Sequence, residues 1–277
     1  MKFYLSGLRG KRELDWAKFG QHVLLDPFQA RNVPDNYPVK DRLMDSGAYW
    51  CLKHKAYLSI AEYLDAARSY PWASIIAPDV IGDKDATYQN WLAMKIHAPD
   101  LFDRVIPVWH WQTAYDYDLL DRYLEEAAVV GIGGLVDPLR KKRDSDDPKA
   151  SEQARDRVLR ELVHLCEKYP GRFHIFGLCW PKAITALNKL VISADSSLWL
   201  WGAKHGDLLS IRQSTTGTPF LTSGKWYYDD RYRGVDWESI WDSKAIRARE
   251  LCIENIRTLR DFCKPIDESE SECKPLP

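Results

Sequence analysis

The sequence lacks a large net charge, a paired-cysteine motif, a glycine-rich phosphate loop and a long apolar run. Its 39 basic and 40 acidic side chains leave a formal charge of −1 at pH 7. No global basic surface marks a nucleic-acid binder, although a local basic face stays open. The six cysteines (Cys51, Cys166, Cys179, Cys252, Cys263 and Cys273) include no CxC or CxxC pair, which argues against a disulfide framework and a zinc knuckle. His97, His110, His164, His174 and His205 form neither HxH nor HExxH, so no metal is expected. "GIGG" at 131–134 has neither dinucleotide-fold spacing nor a phosphate-loop lysine, and no nucleotide cofactor is expected. "MKFYLSGLRGKREL" has no secretory apolar core, and no run approaches the roughly 20 residues that span a bilayer. A cytoplasmic, reduced protein is the expectation.

What is present is a regular alternation. A chain of 277 residues with 45% apolar and 29% charged side chains suits one (β/α) barrel or two small domains. "KFYLSG", "HVLLDP", "DRLMDSG", "WASIIAPD", "RVIPVWHW", "VVGIGGLV", "RFHIFGL" and "VISAD" read as strands. Between them, "YLSIAEYLDAARSY", "DKDATYQNWLAMKIHA", "TAYDYDLLDRYLEEAA", "SEQARDRVLRELVHLCEKY" (with Ser151 as N-cap) and "PKAITALNKL" read as helices. Apolar strands separated by helices imply a parallel sheet covered on both faces, and about eight strands favour a closed (β/α)8 barrel over an open doubly wound sheet, in the α/β class. No linker divides the chain, so residues 1–277 are expected to form a single domain. Past Asp195 the segment through Gly234 reads as barrel-closing hairpins and loops. "DSKAIRARELCIENIRTLRDFC" then reads as a C-terminal helix capped by Asp242 or Ser243, followed by a frayed polar tail.

Three carboxylates stand where apolar strands finish: Asp45 in "LMDSG", Asp79 in "IIAPD" and Asp195 in "VISADSS". Asp after a strand is often only a turn-starter or a helix cap. In a parallel barrel, however, every strand C-terminus opens on one face, where active sites are built. Paired carboxylates suit chemistry at an anomeric carbon, because a negative oxygen stabilises the cationic transition state. A third can hold the N–H edge of a purine-like base. Glycines in "GIGGL" allow close backbone approach to a ligand.

The ordered set "LMDSGAYW", "IIAPDVIGD", "VIPVWHWQ", "VVGIGGLV", "FHIFGL" and "ISADSSLWLWGAKHG" resembles the tRNA-guanine transglycosylase superfamily. It looks closest to the DNA-acting, DpdA-type branch, whose members exchange guanine in DNA for a 7-deazaguanine. The resemblance covers about residues 1–215. It implies a TIM barrel in which Asp195 is the nucleophile at C1′. Asp45 manages the proton on the leaving and entering base, with Ser46 and Gly47 beside it. Asp79 binds the base edge, and Gly133, Gly134, Leu135 and Gly177 lie along the substrate. The superfamily's glutamine has no clean counterpart, and Trp109, His110 or Gln112 occupies its place. The C-terminal zinc module of the tRNA enzymes is absent from this cysteine pattern, so no zinc subdomain and no cofactor are expected. That absence favours DNA over tRNA.

With DNA and a 7-deazaguanine base as expected partners, phosphate contacts fall to Arg140, Lys141, Lys142 and Arg143, and to Lys204, His205, Arg212, Lys225, Arg231 and Arg233. A merely solvated charged loop is the alternative for residues 140–143. Of the twelve tryptophans, Trp109, Trp111, Trp199, Trp201 and Trp226 are candidates for stacking on bases, with core packing as the alternative. By the resemblance, such an enzyme acts in the cytoplasm and can be phage-encoded. Rival readings are a zinc-free tRNA-guanine transglycosylase, a non-catalytic nucleic-acid-binding barrel and a glycoside hydrolase.

Overall fold

A computed structural model of the chain describes residues 1–8, 10–30, 33–34, 36–111, 116–139, 148–225 and 244–264. Nine short strands form one parallel sheet: β1 (Lys2–Leu5), β2 (His22–Leu25), β3 (Asp41–Met44), β4 (Ser74–Ile76), β5 (Val105–Ile106), β6 (Val108–His110), β7 (Val130–Gly133), β8 (Phe173–Ile175) and β9 (Ser193–Ser196). Their order is β5-β4-β3-β2-β1-β9-β8-β7-β6. The two ends of that order are neighbours in the chain, separated only by Pro107. Pro107 has no N–H to give a ladder, so the run 105–110 is assigned as two pieces. The first pairs with β4 and the second with β7. The nine strands are thus eight staves, and the sheet is a TIM-barrel-like ring.

Helices follow the strands: α1 (Lys11–Ala17), α2 (Pro27–Ala30), α3 (Ala48–His54), α4 (Ile60–Arg68), α5 (Lys84–His97), α6 (Tyr117–Glu126), α7 (Val136–Leu139), α8 (Pro148–Lys168), α9 (Pro181–Leu187) and α10 (Leu198–Lys204). Their starts follow capping chemistry. Ser59 and Glu62 form a reciprocal capping box on α4, satisfying two donors that a helix end leaves open. Asp83 and Asp116 cap α5 and α6, accepting from Ala86 and Leu119. These two carboxylates fill the ordinary structural role for Asp after a strand. The α8 helix starts at Pro148, so Ser151 lies inside it and is not its cap. A proline is preorganised for the first helical turn, where its missing N–H costs nothing.

The apolar residues divide by strand parity. Tyr4, Leu24, Leu43, Ile76, Ile106 and Val108 meet inside the ring, while the alternate residues Phe3, Leu5, Val23, Leu25, Met44 and Ile75 pack outward under the helices. The outer layer holds most of the aromatic bulk, including Trp91, Trp109, Trp199, Tyr63 and Tyr123.

Beyond β9 the structure departs from the expectation of hairpins alone. "LWLWGAK" is the helix α10, in which Trp199 is fully buried in the outer layer and its Nε1 donates to Ser6 O at 3.0 Å. An antiparallel hairpin of β10 (Asp207–Gln213) and β11 (Pro219–Lys225) then forms a separate sheet. It does not close the barrel, since β9 already pairs with β1. The last described helix, α11 (Lys244–Phe262), packs on α10 and β10. Fully buried Asn255 fastens that junction, accepting from Leu209 N at 2.7 Å and donating to Asp207 O at 3.1 Å. Cys252 and Cys263 are buried free thiols, and burial pushes both up to about 12. Asp242, Ser243 and the tail from 265 lie outside the described residues. No described helix is long and apolar enough to cross a membrane.

Candidate active site

Inward parity carries the ends of the strands to one mouth. Asp195 is the inward residue of β9, Asp45 directly follows β3, and Asp79 follows β4 through Pro78. Asp45 lies within electrostatic reach of Asp79 and Asp195, and also of Asp26, which ends β2. Burial, then the fields of Asp79, Asp195 and Asp26, push the Asp45 carboxyl up to about 8, against a smaller opposing pull from the Ser46 N–H. A carboxyl with that value is protonated at neutral pH and can donate a proton.

Asp195 is held differently. It is 5% exposed, and its Oδ1 accepts from Gly177 N at 3.0 Å. Its own backbone O accepts from Leu178 N at 2.8 Å. Below it, fully buried His174 places Nε2 3.6 Å from Asp195 Oδ1, while Nδ1 meets Ser193 Oγ at 2.8 Å. Tyr4 and Phe176 present their rings to this imidazole. Oδ1 is therefore the anchored oxygen, and Oδ2 is the one left to act on a substrate.

Asp79 Oδ2 lies 3.2 Å from His110 Nε2, and His110 is 6% exposed. His110 faces inward, whereas its neighbour Trp109 faces outward. The Trp109 indole is buried, donating to Asp116 O at 3.1 Å. Of the two described residues weighed for the superfamily's glutamine, His110 faces the mouth and Trp109 does not; Gln112 lies outside the described residues. Leu135 is likewise a core side chain at 1% exposure.

The glycines divide their work. A Cβ on Gly131 would come within 2.5 Å of the Phe176 ring, so that glycine makes room for the barrel interior. Gly133 lies against Val108 and the His110 ring. Gly47 and Gly134 have φ of +79° and +76° and turn the chain out of β3 and β7. Ser46 is buried, and its Oγ accepts from Ala48 N at 3.2 Å. Gly177 has φ +62°, and a Cβ there would lie 2.6 Å from Val136 Cγ2. Gly177→Ala is expected to lower stability by about 1–3 kcal/mol, through the left-handed backbone and the clash. Urea denaturation of the two proteins checks this.

Of the expected phosphate contacts, Lys204, His205, Arg212 and Lys225 are among the described residues. Lys204 is the last residue of α10, and His205 is its C-cap. Lys225 Nζ is held by His205 O and Asp207 Oδ1, each at 2.7 Å. Arg212 is exposed on the hairpin. Arg140, Lys141, Lys142, Arg143, Trp226, Arg231 and Arg233 lie outside the described residues. Trp111 and Trp199 are buried, and Trp201 is half exposed beside His205.

Two residues of the site escaped the sequence reading. Asp26 ends "HVLL" just as Asp45 ends "DRLM", and burial raises its pKa. Its Oδ1 accepts from Gln29 N at 2.8 Å, so it caps α2 while adding negative field. His174 carries a weaker signal, an inward position opposite Ser193 in the β8–β9 register. Among the described residues, no group of three or more His, Cys, Asp or Glu is arranged to hold a metal ion. No protein-family model matches the chain, and no curated protein matches it.

Proposed function

We propose that this protein is a pentosyltransferase that exchanges guanine in DNA for a 7-deazaguanine base through a glycosyl-Asp195 intermediate. The observation that carries the reading is the convergence at one barrel mouth of Asp45, buried among the carboxylates of Asp79, Asp195 and Asp26, and Asp195, anchored through Oδ1 by the Gly177 N–H. The choice of base and of DNA rests on the resemblance of the strand-end motifs.

In the first displacement, Asp195 Oδ2 attacks C1′ and the C1′–N9 bond breaks. The bonding pair leaves with guanine, and the Asp45 proton neutralises it. A carboxylate beside C1′ offsets the positive charge that grows there. In the second displacement, the entering base gives its ring proton to Asp45, attacks C1′ and releases Asp195. Configuration is retained after two inversions, and no oxidant or nucleotide is consumed. The Asp79–His110 pair is placed to read the donor edge of the base. A target base inside a duplex is out of reach, so it enters extruded or single-stranded.

The test supplies labelled guanine with single-stranded DNA, duplex DNA or tRNA, followed by mass spectrometry of the nucleosides. Label in DNA supports the proposal. Label in tRNA alone transfers the activity to the RNA substrate, and label in neither ends the exchange reading.

A further inference from the structure

The α3 helix sits where a barrel has no structural need for it. It intervenes between β3 and α4, the helix that covers the sheet, and it begins three residues past Asp45. None of its seven residues is buried, although "AYWCLKH" is mostly apolar. Tyr49 is 67% exposed, Leu52 63%, and Tyr57 just beyond the helix 85%. Helices normally bury their apolar stripe, and an exposed one marks an interaction surface.

The chemistry of the surface is specific. From Ser46 to Ala61 there is no acidic residue, while Lys53, His54 and Lys55 add positive charge. Both lysines are exposed, and neither is in an ion pair among the described residues. The aromatic rings are already ordered as a ladder. Phe28, from the neighbouring α2, stacks on Trp50 at 4.1 Å, and Trp50 meets His54 at 4.6 Å. The foot of the ladder is at the mouth, since a Cβ on Gly47 would lie 3.6 Å from the Phe28 ring.

We propose that α3 and the turn to Tyr57 are the docking platform for single-stranded nucleic acid flanking the reacting nucleotide. Bases stack on Tyr49, Tyr57 and the Phe28–Trp50 ladder, and phosphates are met by Lys53 and Lys55. Flat rings with interleaved cations and no acid are what an unpaired strand needs. This rests on the glycosyl-exchange reading for the identity of the occupant.

The experiment measures fluorescence anisotropy of a labelled 12-nucleotide single-stranded DNA against wild type, K53E/K55E and Y49A/Y57A, over a series of salt concentrations. Each double variant is expected to bind at least tenfold more weakly. K53E/K55E is expected to show a shallower salt dependence, by roughly 1.4 in the log–log slope for two phosphates. Melting temperatures are expected to stay unchanged, because no residue of α3 is buried. Unaltered affinity in both variants overturns the proposal. So does residue-dependent binding to anionic phosphatidylserine vesicles without oligonucleotide binding, or a dimer dispersed by Y49A/Y57A. Oligonucleotide binding through α3 without base exchange would sink the exchange reading and leave the platform standing. Exchange untouched by both variants would do the reverse.

Discussion

Asp195→Asn is expected to lower base exchange by on the order of 10^4-fold or more, while the protein folds as before. The substitution keeps the shape of the side chain and an oxygen that can accept the Gly177 N–H seen at 3.0 Å. What it removes is the second, negatively charged oxygen that would bond to C1′. Wild-type protein incubated with DNA should form an adduct that survives denaturing electrophoresis, and D195N should form none. An adduct on D195N, or exchange at wild-type rate, would show that the barrel works through another group. His174 sharpens the expectation. Its Nε2 stands 3.6 Å from Asp195 Oδ1, too far for a hydrogen bond in the resting protein, so the field on the nucleophile comes first from the Gly177 amide.

The second large effect concerns Asp45 and has two opposed readouts. Asp45→Asn is expected to cut exchange by about 10^2–10^3-fold, the usual contribution of a positioned proton donor. It is also expected to stabilise the protein above neutral pH. The Asp45 pKa is raised in the folded chain from 3.8 to about 8. Between those values the folded state holds a proton that the unfolded state has lost. Stability therefore declines as pH rises through this window, and levels off above about 8. Asparagine cannot ionise, so D45N escapes that decline. The gain is expected to be roughly 1–3 kcal/mol at pH 8–9 after discounting for partial solvent access, and absent at pH 4. Thermal melts across pH read the stability. Wild-type exchange should fall as pH rises past about 8, where the donor is lost. A D45N protein less stable than wild type at pH 9 would show that the carboxylate is not strained there.

The parts of this molecule that were legible in its sequence share one property: a local pattern matched to a local cause. Apolar runs such as "HVLL" and "ASII" are strands because both faces of a barrel wall are covered, and the inward carboxylates follow from strand parity. What was not legible depended on partners far along the chain. "LWLW" alternates like a strand yet is helical, because Trp199 is anchored to Ser6. Trp109 beside His110 looked equally able to meet a ligand, and only parity within the ring sends one out and the other in. Asp26 follows "HVLL" as Asp45 follows "DRLM", and only the closure of the ring brings the two carboxylates into each other's field. The platform on α3 was illegible for the opposite reason. Nothing in the local pattern of "AYWCLKH" says that no second layer covers its apolar residues.

Pro107 sets how the mouth is braced. On one side of it the ring is joined by Ile106 O accepting from Ala77 N, and on the other by Pro107 O accepting from Gly131 N. Across this joint the barrel is two arcs, one ending in β5 and the other in β6. Asp45 and Asp79 belong to the first arc and Asp195 to the second. The spacing between the proton donor and the attacking oxygen is then fixed by two fastenings: the β1–β9 ladder and the proline joint, with the His110–Asp79 contact clamped just above it.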